Sequence, residues 1–262
     1  MFMIKRKRVI SLLVICLLII SCPGSANAAT TLPSISLNSV GLQDDSYVSK
    51  YNAMVNGIGK ARPEDKARSL LQKKEPIDLN KIKQRSRSLG TRASFYYYPS
   101  TILNFVYYGQ EYNNTCGAAA LRMAIKLLTN TTLEESVIRD ACMAGNTFYM
   151  WDMASYLNSM QSTNNYICMY DVSQTTMEIN LYSGIVYYDA PPIIAVKEMR
   201  ENGWPFDTGS HSLLVYGVNG DHSSFAVADP FGGYMNSVIK TYYATSGLLY
   251  NGYSLTDAGY MF

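Results

Sequence analysis

Thr115-Cys116-Gly117-Ala118-Ala119-Ala120-Leu121 seats a thiol where the polar, irregular run Tyr112-Asn113-Asn114 gives way to an apolar helix. Residues 116–128 are apolar on nearly every face, at Ala118, Ala119, Ala120, Leu121, Met123, Ala124, Ile125, Leu127 and Leu128. Such a pattern predicts a buried central helix rather than a surface one. Its first turn carries unpaired backbone N–H groups and the positive end of the helix dipole, both of which favour thiolate over thiol. Cys116 is therefore the candidate nucleophile. Gln110, six residues upstream, can reach the carbonyl that the Cys116 backbone N–H would also meet. These two donors form the candidate oxyanion hole.

A nucleophilic cysteine needs a base and a group to orient that base, and the chain holds two histidines. His211 opens the apolar, strand-like run Ser212-Leu213-Leu214-Val215-Tyr216-Gly217-Val218, which leaves its ring free to face a cleft. His222 lies in Asn219-Gly220-Asp221-His222-Ser223, a hairpin turn by its Asn-Gly and Gly-Asp pairs, where a histidine faces water. The following strand, Ser224-Phe225-Ala226-Val227-Ala228, runs back antiparallel and delivers Asp229-Pro230 beside the start of the His211 strand. A carboxylate at that point fixes the imidazole tautomer and stabilises the imidazolium.

The order Gln110, Cys116-Gly117-Ala118-Ala119, Gly209-Ser210-His211 leading an apolar strand, then Ala228-Asp229-Pro230 resembles the papain-fold cysteine peptidases related to bacteriocin-leader (double-glycine) processing peptidases. The resemblance covers roughly residues 95–262. It implies an α+β, papain-like cysteine peptidase fold, in which a helical lobe with a central nucleophile helix is followed by an antiparallel sheet lobe. It also implies Cys116 as nucleophile, His211 as general base and acid, Asp229 as orienting residue and Gln110 in the oxyanion hole, with no cofactor. Transporter-borne members continue into membrane spans and an ATPase, neither of which is read in residues 1–262, so the free-standing secreted members are expected to be the closer comparison.

The remaining pattern of this segment agrees. Helices are expected at 132–143, with Thr132 and Glu135 as a capping box, and at 151–160. Strands are expected at 166–171, 193–196, 211–218, 224–229 and 235–241, with turns at Glu201-Asn202-Gly203 and Phe231-Gly232-Gly233. Trp204, just before the His211 strand, is a possible rim of the substrate groove, with core packing as the competing reading. Tyrosine runs such as Tyr96-Tyr97-Tyr98 and Tyr107-Tyr108 fit half-buried strand faces.

Residues 1–28 read as a signal peptide: Lys5-Arg6-Lys7-Arg8 precedes a hydrophobic run at 9–20, too short for a comfortable membrane span. Ala26-Asn27-Ala28 fits a small-residue cleavage site, which predicts secretion. Alternatively, Ile19-Ile20-Ser21-Cys22 resembles a lipobox, with leader 1–21, Cys22 as the lipid-bearing residue and a cell-surface lipoprotein as the product. Membrane association is expected only through that anchor. Cys116, Cys142 and Cys168 remain in the mature chain, the last two read as buried small hydrophobes in preference to a disulfide. No pair has zinc spacing, so no metal is expected.

The charge is divided. Residues 29–92 carry twelve Lys/Arg against six Asp/Glu, while residues 93–262 carry six against fourteen. Residues 29–94 are accordingly read either as a basic pro-segment docked on the acidic catalytic domain, residues 95–262, or as a solvated linker. Lys73-Lys74 and Arg85 to Arg87 are its expected cutting points, and a helix is expected at 63–74. Nucleic-acid binding is not expected, because the basic part lacks interleaved aromatics and the acidic domain repels phosphate. A monomer is expected. The function predicted is hydrolysis of peptide bonds in a peptide or protein substrate through a thioester acyl-enzyme. The alternatives are an amidase or transpeptidase using the same centre, and a non-catalytic surface-binding protein retaining the fold.

Overall fold

The computed structural model describes residues 57–72, 74, 96–99, 102 and 105–262. The leader with its cleavage site, Cys22, the basic run 81–88 and the cutting points at Lys73 and Arg85 to Arg87 lie outside these residues. In chain order the elements are α1 (Pro63–Ser69), β1 (Tyr96–Tyr97), α2 (Cys116–Thr129), α3 (Glu135–Cys142), β2 (Met143–Ala144), β3 (Thr147–Phe148) and α4 (Met150–Met160). Then follow β4 (Cys168–Met169), α5 (Gln174–Val186), β5 (Ile193–Lys197), β6 (Ser210–Asn219), β7 (Ser224–Ala228), α6 (Pro230–Tyr234), β8 (Thr241–Thr245), α7 (Ser246–Ser254) and β9 (Tyr260–Met261).

The main sheet runs β4-β9-β5-β6-β7-β8, with β1 added against the far end of β6, and every pairing in it is antiparallel. Side chains alternate across a strand, so this sheet has two apolar faces to cover. Ala195, Leu214, Ala226 and Ala228 pack with α2, α3 and α4. Ile194, Val196, Leu213, Val215 and Val227 pack with residues of α5 and α7. Burial on both faces explains why β6 reads as a continuous apolar run. Helix α2 is buried along almost its whole length, as its composition requires, and ends at Asn130 in the left-handed region at φ 57°.

Several local expectations are corrected. The Thr132 capping box does not form: α3 starts at Glu135, and the buried Glu135 carboxylate instead accepts the Glu111 N–H at 3.1 Å through each oxygen. The carboxylate is thereby tied to the loop leading to Cys116 and not to its own helix end. The strand expected at 235–241 is absent. Asp229 accepts the Phe231 N–H at 2.8 Å and Pro230 occupies the first helical position, so Gly232-Gly233 becomes part of α6 and the strand begins at Thr241. The helix at 63–74 closes at Ser69, and the strand at 166–171 shrinks to Cys168–Met169. Helices α5 and α7, capped by the Ser173 and Thr245 hydroxyls, and the β9 strand between β4 and β5 were not anticipated.

Candidate active site

The nucleophile turn is built from its own hydroxyl. Thr115 Oγ1 accepts the Tyr112 N–H at 3.0 Å and donates to the Tyr112 carbonyl at 3.1 Å, closing a tight turn before α2. That hydroxyl therefore makes no cap bond to α2, whose first N–H groups keep their aim outward. Gln110 belongs to the same turn: it is buried, its Nε2 donates to the Tyr112 carbonyl at 2.7 Å and its backbone N–H donates to the Pro230 carbonyl at 3.1 Å. An amide nitrogen carries two hydrogens, so one remains beyond the Tyr112 bond. Gly117 lets α2 approach closely, since a Cβ there would lie 2.7 Å from Phe148 Cγ.

Antiparallel register brings the candidate base and its partner together. Leu214 pairs with Ala228, so one residue further along the ladder Asp229 lies across from Leu213 and diagonal to His211 on the same face. His211 Nε2 is 2.8 Å from Asp229 Oδ1, and both side chains are fully enclosed. With Nε2 committed, Nδ1 is the nitrogen left for the Cys116 thiol, with which the ring interacts. Burial works against a charged ring here. The Asp229 carboxylate and Cys116 outweigh that penalty and hold His211 well above the usual imidazole range.

This shift has a defined sign. A raised folded-state pKa contributes stability that is complete below the unfolded value of ~6.5 and is lost as pH rises through the folded one. The difference in melting temperature between the parent and His211→Ala is therefore expected to be largest near the acidic end and to shrink toward alkaline pH. Thermal melts from about pH 6 to about pH 10 check it. A difference that grows with pH would contradict the assignment.

The family model matching this chain is that of the Peptidase_C39 like family, over residues 102–253, more than half of the sequence. The chain belongs to that family. It is a cysteine-type peptidase with an α+β, papain-like fold. Among solved structures, the peptidase is similar to the peptidase domain of Streptococcus ComA, a bi-functional ABC transporter involved in a quorum sensing pathway. Identity is 14%, with a TM-score of 0.40 over 59% of this chain and 94% of that one. It is also similar to a C39-like peptidase from Bacillus anthracis, at 9% identity and a TM-score of 0.43 over 63% and 96% of the two chains. The Amb a 11 cysteine protease of ragweed pollen, in its proform, aligns at 11% identity and a TM-score of 0.45 over 66% of this chain and 65% of that one. No curated protein matches the chain.

Other residues singled out in the sequence fall elsewhere in the peptidase. Trp204 does not form a cleft rim: it is 2% exposed, meets Tyr242 edge-on and packs where a Cβ on Gly252 would touch its ring. Covering the sheet buries more of its surface than a groove edge allows. His222 sits in the β6–β7 turn at φ 51°, edge-on to Tyr182 and 3.8 Å from the Glu178 carboxylate. Cys142 and Cys168 are free and buried, and desolvation pushes both thiols up to about 12, which leaves them inert beside Cys116. Glu198, His211 and Asp229 bring one donor atom each within 4.8 Å of the others. A cation there would have to break the His211–Asp229 bond, so the donor set serves the imidazole better than a metal.

Residues 57–62, from the basic segment, cross the site itself. The Gly57 and Ile58 N–H groups donate to the Ser210 carbonyl at 3.1 and 3.2 Å, adjoining His211 in sequence. Phe148 donates its N–H to the Gly57 carbonyl at 3.0 Å and accepts from the Gly59 N–H at 2.8 Å, a parallel bridge with Ile58 at its centre. Gly57 lies against the candidate nucleophile, where a Cβ would be 2.6 Å from Cys116 Sγ and 3.1 Å from the Asn114 carbonyl oxygen. Beyond it, Arg62 pairs with Asp152 at 2.8 Å, and Lys66 pairs with Asp171 at 2.9 Å and Asp257 at 2.6 Å. Sequence reasoning found the charge asymmetry but not Gly57, whose only signal is the missing side chain.

Proposed function

We propose that the protein is a secreted cysteine peptidase that hydrolyses peptide bonds through a Cys116-His211-Asp229 triad, made with a basic pro-segment across its cleft. The observation that carries the catalytic reading is the His211–Asp229 bond at 2.8 Å, with the ring's other nitrogen facing a thiol at a helix start. His211 Nδ1 takes the thiol proton, giving a thiolate–imidazolium pair stabilised by Asp229. The sulfur attacks the substrate carbonyl carbon, and the resulting oxyanion is met by the Cys116 N–H and the Gln110 amide. The Nδ1 proton passes to the leaving amine as the C–N bond breaks. Water, deprotonated by the same nitrogen, then releases the acyl group from the thioester. Export rests on the basic and apolar residues of 1–28.

Two cavities adjoin the candidate site. One cavity of about 590 Å³ is walled by Tyr112, Asn114, Thr115 and Asn146, on the turn that delivers the nucleophile. Another, of about 430 Å³, is walled by Ser210, Thr147, Tyr149 and the crossing segment. The pro-segment reading is supported by the backbone bonds at Ser210 and Phe148 and by Ile58, 1% exposed in the core, whose burial is worth about 2–3 kcal/mol. Exposed pairs such as Lys66 with Asp171 and Asp257 add little apiece and serve registration. The Gly57 carbonyl is engaged by the Phe148 N–H, so the bond after Gly57 is held off the oxyanion donors.

Labelling tests the catalytic reading. A thiol-directed covalent peptidase inhibitor is expected to modify Cys116 and spare Cys142 and Cys168, as read by peptide mass spectrometry, while new termini appear in a peptide library only with Cys116 intact. Equal modification of the three thiols, or cleavage that survives Cys116→Ala, would overturn it.

A further inference from the structure

Behind the His211–Asp229 pair stands a second buried acid that the triad does not use. Glu198 lies two residues past Val196, the register partner of His211, so alternation places it on the His211 face of the sheet. Tyr242 joins from β8, where it pairs with Val227, two residues before Asp229. Glu198 and Asp229 are both 0% exposed. The Tyr242 hydroxyl is 2.7 Å from Glu198 Oε1 and 3.3 Å from Asp229 Oδ2. Glu198 is itself anchored: its N–H donates to Thr208 Oγ1 at 3.2 Å, and its carbonyl accepts the Thr208 N–H at 3.0 Å.

We infer that Glu198, acting through the Tyr242 hydroxyl, is a positioning residue that fixes the Asp229 carboxylate on His211. This deepens the triad reading and rests on it. Two carboxylates this close in a dry site cannot both carry charge beside a single imidazolium. Asp229 keeps the charge, because its Oδ1 accepts from both His211 and the Phe231 N–H. Glu198 takes the proton; burial, chiefly, together with the neighbouring Asp229 charge, pushes its acidity weaker than usual by a wide margin. A neutral Glu198 turns its O–H to Tyr242, which frees the phenol's one hydrogen for Asp229 Oδ2. Both Asp229 oxygens are then held, and the carboxylate cannot rotate away from the ring.

The titratable groups facing Glu198 among the described residues are Asp229, His211 and Tyr242. The test reads the imidazole directly: the rate at which iodoacetamide alkylates Cys116 in the full-length chain, followed against pH by mass spectrometry, with a melting temperature for each variant. The low-pH inflection, where the thiolate–imidazolium pair forms, is expected to move up by about one unit in Glu198→Ala and in Tyr242→Phe, roughly a tenfold loss of rate below it. Glu198→Gln, neutral and still a hydrogen-bonding side chain, is expected to restore the parent inflection. Should Glu198→Gln shift as far as Glu198→Ala, the residue works as a charge and the inference is wrong. An unshifted Tyr242→Phe profile in a folded protein overturns it as well. Failure of the triad reading is distinguishable: the parent itself would then show no low-pH inflection at Cys116.

Discussion

Replacing His211 by alanine is expected to lower peptide hydrolysis by on the order of 10⁴-fold or more, with no comparable loss of fold. Among the described residues this ring is the group placed to take the Cys116 proton and return it to the leaving amine, so its removal leaves the thiol without a base. Asp229 keeps partners in the variant, since it still accepts from the Phe231 N–H and lies beside the Tyr242 hydroxyl. The scaffold around the missing ring is therefore retained. Measuring kcat/KM on a library-derived peptide beside a thermal melt separates the two effects. A folded His211→Ala protein within tenfold of the parent rate would remove the base from its role.

Replacing Gly57 by valine is expected to do the opposite and raise the peptidase activity of the full-length chain by about tenfold or more. Even the first carbon of a side chain there would come 2.6 Å from Cys116 Sγ and 3.1 Å from the Asn114 carbonyl, with helix α2 packed too tightly on Phe148 to yield. The segment must lift from the nucleophile, and each 1.4 kcal/mol of lost docking frees ten times more open cleft. Limited proteolysis supplies a second reading, since a lifted 57–62 stretch is cut sooner. Unchanged activity and unchanged cutting together would mean that the contact at Gly57 does not hold the cleft closed.

Much of this site was legible because short-range rules carried it. The saturation of residues 116–128 with small apolar side chains could mean little other than a buried helix, and a cysteine at its first position acquires the helix end as its environment. Asn-Gly and Gly-Asp pairs announced the β6–β7 turn, but a register shift between Val215 and Gly217 decides that Asp229 arrives across from Leu213, on the His211 face. Local reading failed where one side chain did two jobs. The Asp229 carboxylate meets His211 and also caps α6, so Phe231-Gly232-Gly233, a turn by composition, is helical and the next strand begins only at Thr241. Local spacing assigns Glu135 to its own helix end, yet its partner is the Glu111 N–H, 24 residues away. Trp204 carried a signal compatible with rim and core alike, and only the packing against Gly252 and Tyr242 separated them.

Sequence by itself pointed to the candidate nucleophile and candidate base, the order of helices and sheet, and the opposite charges of residues 29–92 and 93–262, because each depends on periodicity, turn chemistry or composition within a few residues. Tertiary structure alone decided what surrounds them: the Tyr242–Glu198 contact spans 44 positions, and the approach of Gly57 to Cys116 spans 59. Such contacts leave no periodic trace. They arise from the register of an antiparallel sheet and from the room that an absent side chain leaves, and both become quantities only once the chain has closed on itself.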